Sequence, residues 1–176
     1  MSEPFRVAGW RPARRLRFRF DGRALEGVEG DTLASALLAN GVHLVGRSFK
    51  YHRPRGVLAA DEAEPNALVE LRTGARREPN TRATEISLAD GLVAASQNRR
   101  GTLALDLMAV NQWFAPFLKA GFYYKTFKGP GRAWERLWEP LIRRAAGLGR
   151  AARAPDPDGY EHAHLHCDVL VVGAGP

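Results

Sequence analysis

Leu16-Arg17-Phe18-Arg19-Phe20-Asp21-Gly22 is the stretch whose reading decides the fold. Apolar and basic residues alternate over its first five positions, the period of a strand with one face buried. Asp21-Gly22 is a strong signal for a two-residue hairpin turn. Arg23 to Val28 then returns as a second strand, with Leu25 and Val28 as core candidates, and Glu29-Gly30 ends it. Asp31 or Thr32 can cap a short helix, because a side-chain oxygen there accepts from an otherwise unpaired backbone N–H. Leu33, Ala36, Leu37 and Asn40 recur on one face of that helix, and Gly41 supplies its stop. The opening is therefore a hairpin followed by a helix.

Going outward from this frame, Gly46 to Gly56 is basic and aromatic with no clean period, and reads as an ordered loop. Asp61 to Asn66 is an acidic connector. Ala67-Leu68-Val69-Glu70-Leu71 is the next strand, and Thr73 to Asn80 a polar loop. Thr84 to Leu88 and Leu92 to Ala95 are short strands parted by a turn at Asp90-Gly91. Hairpin, helix, loop and further short strands, in that order, suit an α+β fold of the β-grasp kind: a mixed sheet crossed by one helix. On the other side, residues 1–15 form an irregular basic arm broken by Pro4 and Pro12.

From Gly101 the chain changes character. Leu103, Leu105, Leu107, Met108, Val110, Trp113, Phe114, Phe117 and Leu118 predict dense helical or irregular packing, interrupted by Pro116. Phe122 to Phe127 is rich in aromatics. Ala133 to Leu148 predicts the best helix of the chain, with Trp134, Leu137, Trp138, Leu141, Ile142 and Ala145 at helical spacing and Pro140 kinking or splitting it. Pro155 and Pro157 mark a linker. The chain thus divides into an arm (1–15), a β-grasp domain (16–100), a helical connecting segment (101–150), a linker (151–166) and a terminal strand with its turn (167–176).

That last piece, Cys167-Asp168-Val169-Leu170-Val171-Val172-Gly173-Ala174-Gly175-Pro176, reads as a strand buried on both faces that runs into a glycine turn. Gly173 and Gly175 fit the first two glycines of a dinucleotide-binding fingerprint, the first for a sharp turn and the second for close approach of a pyrophosphate. The third glycine and the phosphate-binding helix are not in the sequence. The piece therefore reads as the first strand of a truncated α/β dinucleotide-binding domain, with Gly173, Ala174, Gly175 and Pro176 as the cofactor-binding candidates.

The totals narrow the classes. With 45% hydrophobic residues the 176-residue chain can build a core, and a disordered composition is excluded. The net charge of +7 is spread over many loops, which predicts a solvated basic surface or one that meets an acidic partner. A single cysteine excludes a disulfide framework and fits a reducing compartment. The first 15 residues hold no apolar signal-peptide core, and no stretch approaches a membrane span, so a cytoplasmic protein without a membrane anchor is expected.

The β-grasp order is also the frame of plant-type [2Fe–2S] ferredoxins, in which the loop after the helix carries clustered cysteines. Here the corresponding loop, Arg47 to Asn66, has none, and a cluster of that kind needs four thiolates. The cysteine-free version resembles the alpha subunit of heterotetrameric sarcosine oxidase. The resemblance is carried by Arg47-Ser48-Phe49-Lys50-Tyr51-His52-Arg53-Pro54-Arg55-Gly56, Glu78-Pro79-Asn80-Thr81-Arg82-Ala83-Thr84, Val110-Asn111-Gln112, Ala120 to Phe127, Glu139 to Gly149 and the terminal strand and turn.

The resemblance implies a module at the N-terminal end of a subunit several times longer. The whole enzyme of that family oxidatively demethylates sarcosine to glycine. The methyl carbon leaves as formaldehyde or methylenetetrahydrofolate, and oxygen becomes hydrogen peroxide. The alpha subunit is expected to bind NAD, to share an FMN site with beta and to carry a tetrahydrofolate region, with FAD in beta and with gamma and delta as further partners. Of these sites only the NAD loop, Gly173 to Pro176, maps onto the sequence, so the chain is expected to be inactive alone.

Two sharper readings compete with bland ones. His162, His164 and His166 alternate and would point one way on an extended chain, but no further ligand completes a zinc set, so no metal site is expected. Lys50, His52, Arg53 and Arg55 offer charge to a phosphate, with Phe49 and Tyr51 available for stacking. The alternative function is therefore a stand-alone basic β-grasp module that binds nucleic acid or an acidic protein. The favoured reading of the loop is a protein interface anchored by its aromatics. Trp134, Trp138 and Leu141 read as core or inter-domain packing, and no catalytic acid–base pair or nucleophile is evident.

Overall fold

The computed structural model describes residues 5–6, 14–121, 127, 129, 131–145 and 149–173. Its centre is a five-stranded sheet. β1 (Arg15–Phe20) and β2 (Arg23–Val28) form the expected hairpin, in register from Arg15↔Val28 to Phe20↔Arg23. Asp21 and Gly22 turn it with φ of 48° and 80°, the left-handed pair that a two-residue hairpin turn requires. Leu16, Phe18 and Phe20 point into the core while the intervening arginines face water. In β2 the inward positions are Leu25 and Gly27. Val28 has the wrong parity for the core and is only half-buried, a correction to its reading as a core residue.

Helix α1 (Leu33–Ala39) packs Leu33, Ala34, Ala36 and Leu37 onto this face. Its start is a reciprocal capping box, with the Ser35 N–H donating to Thr32 Oγ1 and the Thr32 N–H to Ser35 Oγ. Its end is a Schellman turn: Gly41, at φ 73°, donates to the Leu38 carbonyl and Val42 to that of Leu37.

Two very short strands follow, β3 (Gly46–Arg47) and β4 (Pro54–Arg55), so the expected loop is in fact closed by a two-rung antiparallel ladder. β5 (Leu68–Leu71), β6 (Glu78–Arg82) and β7 (Leu92–Ser96) complete the main sheet in the order β2-β1-β7-β5-β6. Only β1 and β7 run parallel, at the centre, as the β-grasp requires.

Two expectations are corrected here. Glu78 to Asn80, read as loop, is strand, because the edge of β5 offers it a ladder that its polar sequence does not advertise. Thr84 to Leu88, read as strand, is a turn with one isolated bridge between Ser87 and Thr32. Its backbone serves the helix instead. The carbonyls of Ile86 and Ala83 accept from the N–H groups of Leu33 and Ala34, two of the donors that a helix start leaves unpaired.

Beyond the sheet, a 3₁₀ helix spans Leu107–Gln112. A π-helical turn over Trp134–Trp138 gives way to α2 (Glu139–Ala145) at Pro140, whose ring cannot donate and so marks the change of register. Ala146 to Leu148 and most of the aromatic stretch, Phe122 to Thr126, lie outside the described residues. The large apolar side chains of 105–117 are exposed rather than densely packed, and Trp134, Leu137 and Leu141 face solvent instead of filling a core. Residues 150–173 hold no regular element. Val169 to Val172, expected as a strand buried on both faces, are exposed and unpaired, because the described residues provide no neighbouring strand edge for them.

Candidate functional site in the loop after the helix

The loop from Gly46 to Ala67 occupies the position where a ferredoxin frame would carry its cysteines. It is held by two buried polar arrangements. The first is centred on Glu64, which is 1% exposed. One carboxylate oxygen accepts from the N–H groups of Leu58 (2.6 Å) and Ala59 (2.7 Å), the other from those of Asn66 (2.7 Å) and Ala67 (3.0 Å). Burial pushes this carboxyl up, but the four backbone donors outweigh it and hold Glu64 below the ordinary carboxylate range. Four convergent N–H groups make an anion cradle, and the chain fills it with its own side chain.

The second arrangement ties the tip of the loop to residues 98–118. His52, at φ 52° and 2% exposed, meets Asp106 with Nδ1 2.6 Å from Oδ2. An ionised carboxylate only accepts, so Nδ1 carries the proton. Asp106 Oδ1 also accepts from the N–H groups of Arg100 (2.9 Å) and Met108 (3.1 Å). Burial raises its carboxyl, and the Arg100 N–H, the His52 ring and the Met108 N–H together bring it below the usual aspartate range. The Arg47 guanidinium donates to the carbonyls of Leu103 (2.8 Å), His52 (2.9 Å) and Ala104 (3.1 Å). Asn98 Nδ2 donates to the carbonyls of Arg47 and Ser48, both at 2.9 Å. Two atoms of this knot, His52 Nε2 and Asn98 Oδ1, are buried without a hydrogen-bond partner.

The residues expected to meet a phosphate are thus divided by the fold. His52 is consumed in the knot. Tyr51 lies under both Lys50 Nζ (5.0 Å) and the Arg53 guanidinium (4.8 Å), and donates its hydroxyl to the Leu118 carbonyl (2.9 Å). Its ring is therefore already engaged by cations of the same chain, and it anchors the loop in protein. Phe49 remains half-exposed. His162, His164, His166 and Cys167 are exposed on the tail, and among the described residues no group of three or more His, Cys, Asp or Glu is placed to hold a metal ion. Gly173 keeps the positive φ (77°) of a turn glycine on an exposed segment; Ala174, Gly175 and Pro176 lie outside the described residues.

Neither Glu64 nor Asp106 stands out in the sequence. Glu64 reads as one acid in a solvated connector, and Asp106 is separated from His52 by 54 positions. The signal that singles them out is burial of a lone carboxylate, and burial comes only with the fold.

Residues 13–99 match a family described as a 2Fe-2S iron-sulfur cluster binding domain. The sarcosine oxidase subunit alpha of Rhizobium meliloti (strain 1021) is 65% identical over 161 residues, which is 92% of this chain. The chain is similar to the N-terminal region of the sarcosine oxidase alpha subunit. The alpha subunit of Corynebacterium sp. (strain U-96) is 32% identical over the whole chain. The chain spans only 16% of the Rhizobium alpha subunit and 14% of the Corynebacterium one. A solved structure, L-proline dehydrogenase from P. horikoshii, overlays with a TM-score of 0.39 at 25% identity, over 49% of this chain and 16% of that one. The sheet order and single helix are those of a ferredoxin-like fold, and the relatives are sarcosine oxidase subunits.

The cluster named by the matching family does not fit these residues. Among residues 13–99 there is no cysteine, and the loop that would present the thiolates is closed by the Glu64 cradle and the His52–Asp106 knot. Among the described residues no helix is long and apolar enough to cross a membrane.

Proposed function

We propose that this chain is the N-terminal structural module of a sarcosine oxidase alpha subunit. The observation that carries this reading is the 65% identity to such a subunit across 92% of the chain. In the whole enzyme, sarcosine is oxidatively demethylated to glycine, with formaldehyde or methylenetetrahydrofolate and hydrogen peroxide as the other products. NAD would bind the alpha subunit at a turn that begins with Gly173, Ala174, Gly175 and Pro176. FMN would lie between alpha and beta, FAD in beta, and gamma and delta would complete a cytoplasmic heterotetramer. Residues 16–100 are the ferredoxin-like body of the module, 101–150 a connecting segment, 151–166 a linker, and 167–176 the first strand of the nucleotide-binding domain.

In this reading the module does no chemistry. Its loop has exchanged a cofactor for a self-contained polar knot, and its role is to position what is attached to it. The test is activity. A polypeptide continued to the relatives' length and assembled with its partner subunits should release hydrogen peroxide on addition of sarcosine. The 176-residue chain should release none and should show no NAD binding by calorimetry. Sarcosine-independent behaviour of the complete assembly would refute the assignment.

A further inference from the structure

The segment between the sheet and the linker has two unlike sides. On one side, polar contacts tie it to the loop. The Leu103 and Ala104 carbonyls accept from Arg47, Asp106 meets His52, Asn111 Nδ2 donates to the Lys50 carbonyl (3.4 Å), and the Leu118 carbonyl accepts from Tyr51. Leu103 packs against the core, but most of the large apolar side chains that follow are exposed: Leu105 is 80% exposed, Trp113 82% and Phe117 79%, with Leu107, Val110 and Phe114 beside them in sequence and also exposed. Between Gly101 and Gly121 the charged residues are Asp106 and Lys119, and Asp106 is buried. Surface that is poor in charge, rich in aromatics and fixed from behind has the composition of an interface core, and its ordering cost is met before any partner arrives.

We propose that this face, residues 105–117, is the seat of the remainder of the same polypeptide, the portion that follows residue 176 in the longer alpha subunits. The inference rests on the reading of the chain as the N-terminal module. Three observations select that occupant. The ferredoxin-like family match ends at residue 99, yet similarity to the alpha subunits covers 92% of the chain and so continues across this face. Those subunits carry most of their length beyond the shared region, since the chain spans 16% of the first relative. Finally, Val169 to Val172 are apolar, exposed and, among the described residues, without a neighbouring strand, so they too suit cover by the same body. A body that follows residue 176 is tethered to the face by residues 118–176 and meets it at high effective concentration. A nucleic acid is disfavoured because the face offers it no cations.

The experiment places a photo-crosslinking phenylalanine analogue at Trp113 and, separately, at Phe117 in the full-length alpha subunit assembled with its partners. The expected products join either position to residues beyond 176 of the same polypeptide. Cross-links to another subunit, to a second copy of alpha, or to nothing overturn the proposal. Sarcosine-dependent peroxide release by the unlabelled assembly is measured in parallel. If that activity is present and the cross-links go elsewhere, the docking proposal fails alone; if the activity is absent, the module assignment fails first. A second readout needs no label. Amide exchange over residues 105–118 should be at least tenfold slower in the full-length subunit than in the 176-residue chain, and equal rates overturn the proposal.

Discussion

At the scale of single residues, Glu64 carries more of the loop than any side chain the sequence marks out. Replacing it with alanine leaves four backbone N–H groups without their acceptor. Each unsatisfied buried donor costs about 1–3 kcal/mol, and partial rehydration limits the sum, so a loss of about 3 kcal/mol is expected in urea denaturation at neutral pH. Glu64→Gln should lose nearly as much, because its NH₂ group would face two of the donors. The pH dependence has a fixed sign. Folding holds the carboxyl below its ordinary value of 4.5, so its contribution is fully present above that value and disappears as pH falls through the lowered one. The gap between wild type and Glu64→Gln should therefore be constant from neutral pH down to about 5 and shrink below it; a gap that widens on acidification would contradict the cradle. None of this is legible in the sequence, where Glu64 stands among Asp61 and Glu62 and nothing local says which acid is buried.

At the scale of elements, the legible parts are those whose rule is local. Leu16, Phe18 and Phe20 alternate, Asp21-Gly22 turns, and Thr32 caps, each within a few residues. The illegible parts are those decided by a distant partner. β6 is a strand because β5 lies beside it, and Thr84 to Leu88 is not one because the Ile86 carbonyl and that of the adjoining Ala83 serve the N-terminus of α1. The hairpin and helix are also tied through Gly27, where a Cβ would lie 2.4 Å from Leu88 Cδ2 and 3.1 Å from Ala36 Cβ. Gly27→Ala should therefore destabilise by about 1–3 kcal/mol through overpacking, although alanine suits a strand better than glycine. Thr32→Ala removes half of the capping box and should cost about 1 kcal/mol. Thermal unfolding of the two variants separates the effects: their sum should exceed the double mutant's loss if the helix shifts to relieve the clash, and match it if the helix stays in place.

At the scale of the whole molecule, the chain is a closed body with an open end. Every residue from Gly159 to Gly173 is exposed, and the tie between the linker and the body is the exposed Arg76–Asp158 pair with a bond from Arg77 to the Ala151 carbonyl. Removing residues 161–176 should leave the thermal midpoint unchanged, and amides of Val169 to Val172 should exchange within seconds in a monomeric sample; protection there would mean that the strand has found an edge. Anaerobic reconstitution with iron and sulfide should yield a colourless protein, since one thiol cannot hold the cluster, and a visible charge-transfer band with stoichiometric iron would contradict the fit argued above. The central parallel pair has a further consequence, in time rather than space. Phe18 lies beside Leu92, so the middle of the sheet joins the start of the body to its end. Contacts so far apart in sequence make folding slow, and they cannot form on the ribosome until β7 has emerged. The hairpin can close early and α1 can settle on Phe18 and Phe20, but the second edge of β1 waits unpaired for residues 92–94. In the longer subunit proposed above, this body would then be completed first, while the remainder is being synthesised, and would present a finished surface to whatever follows.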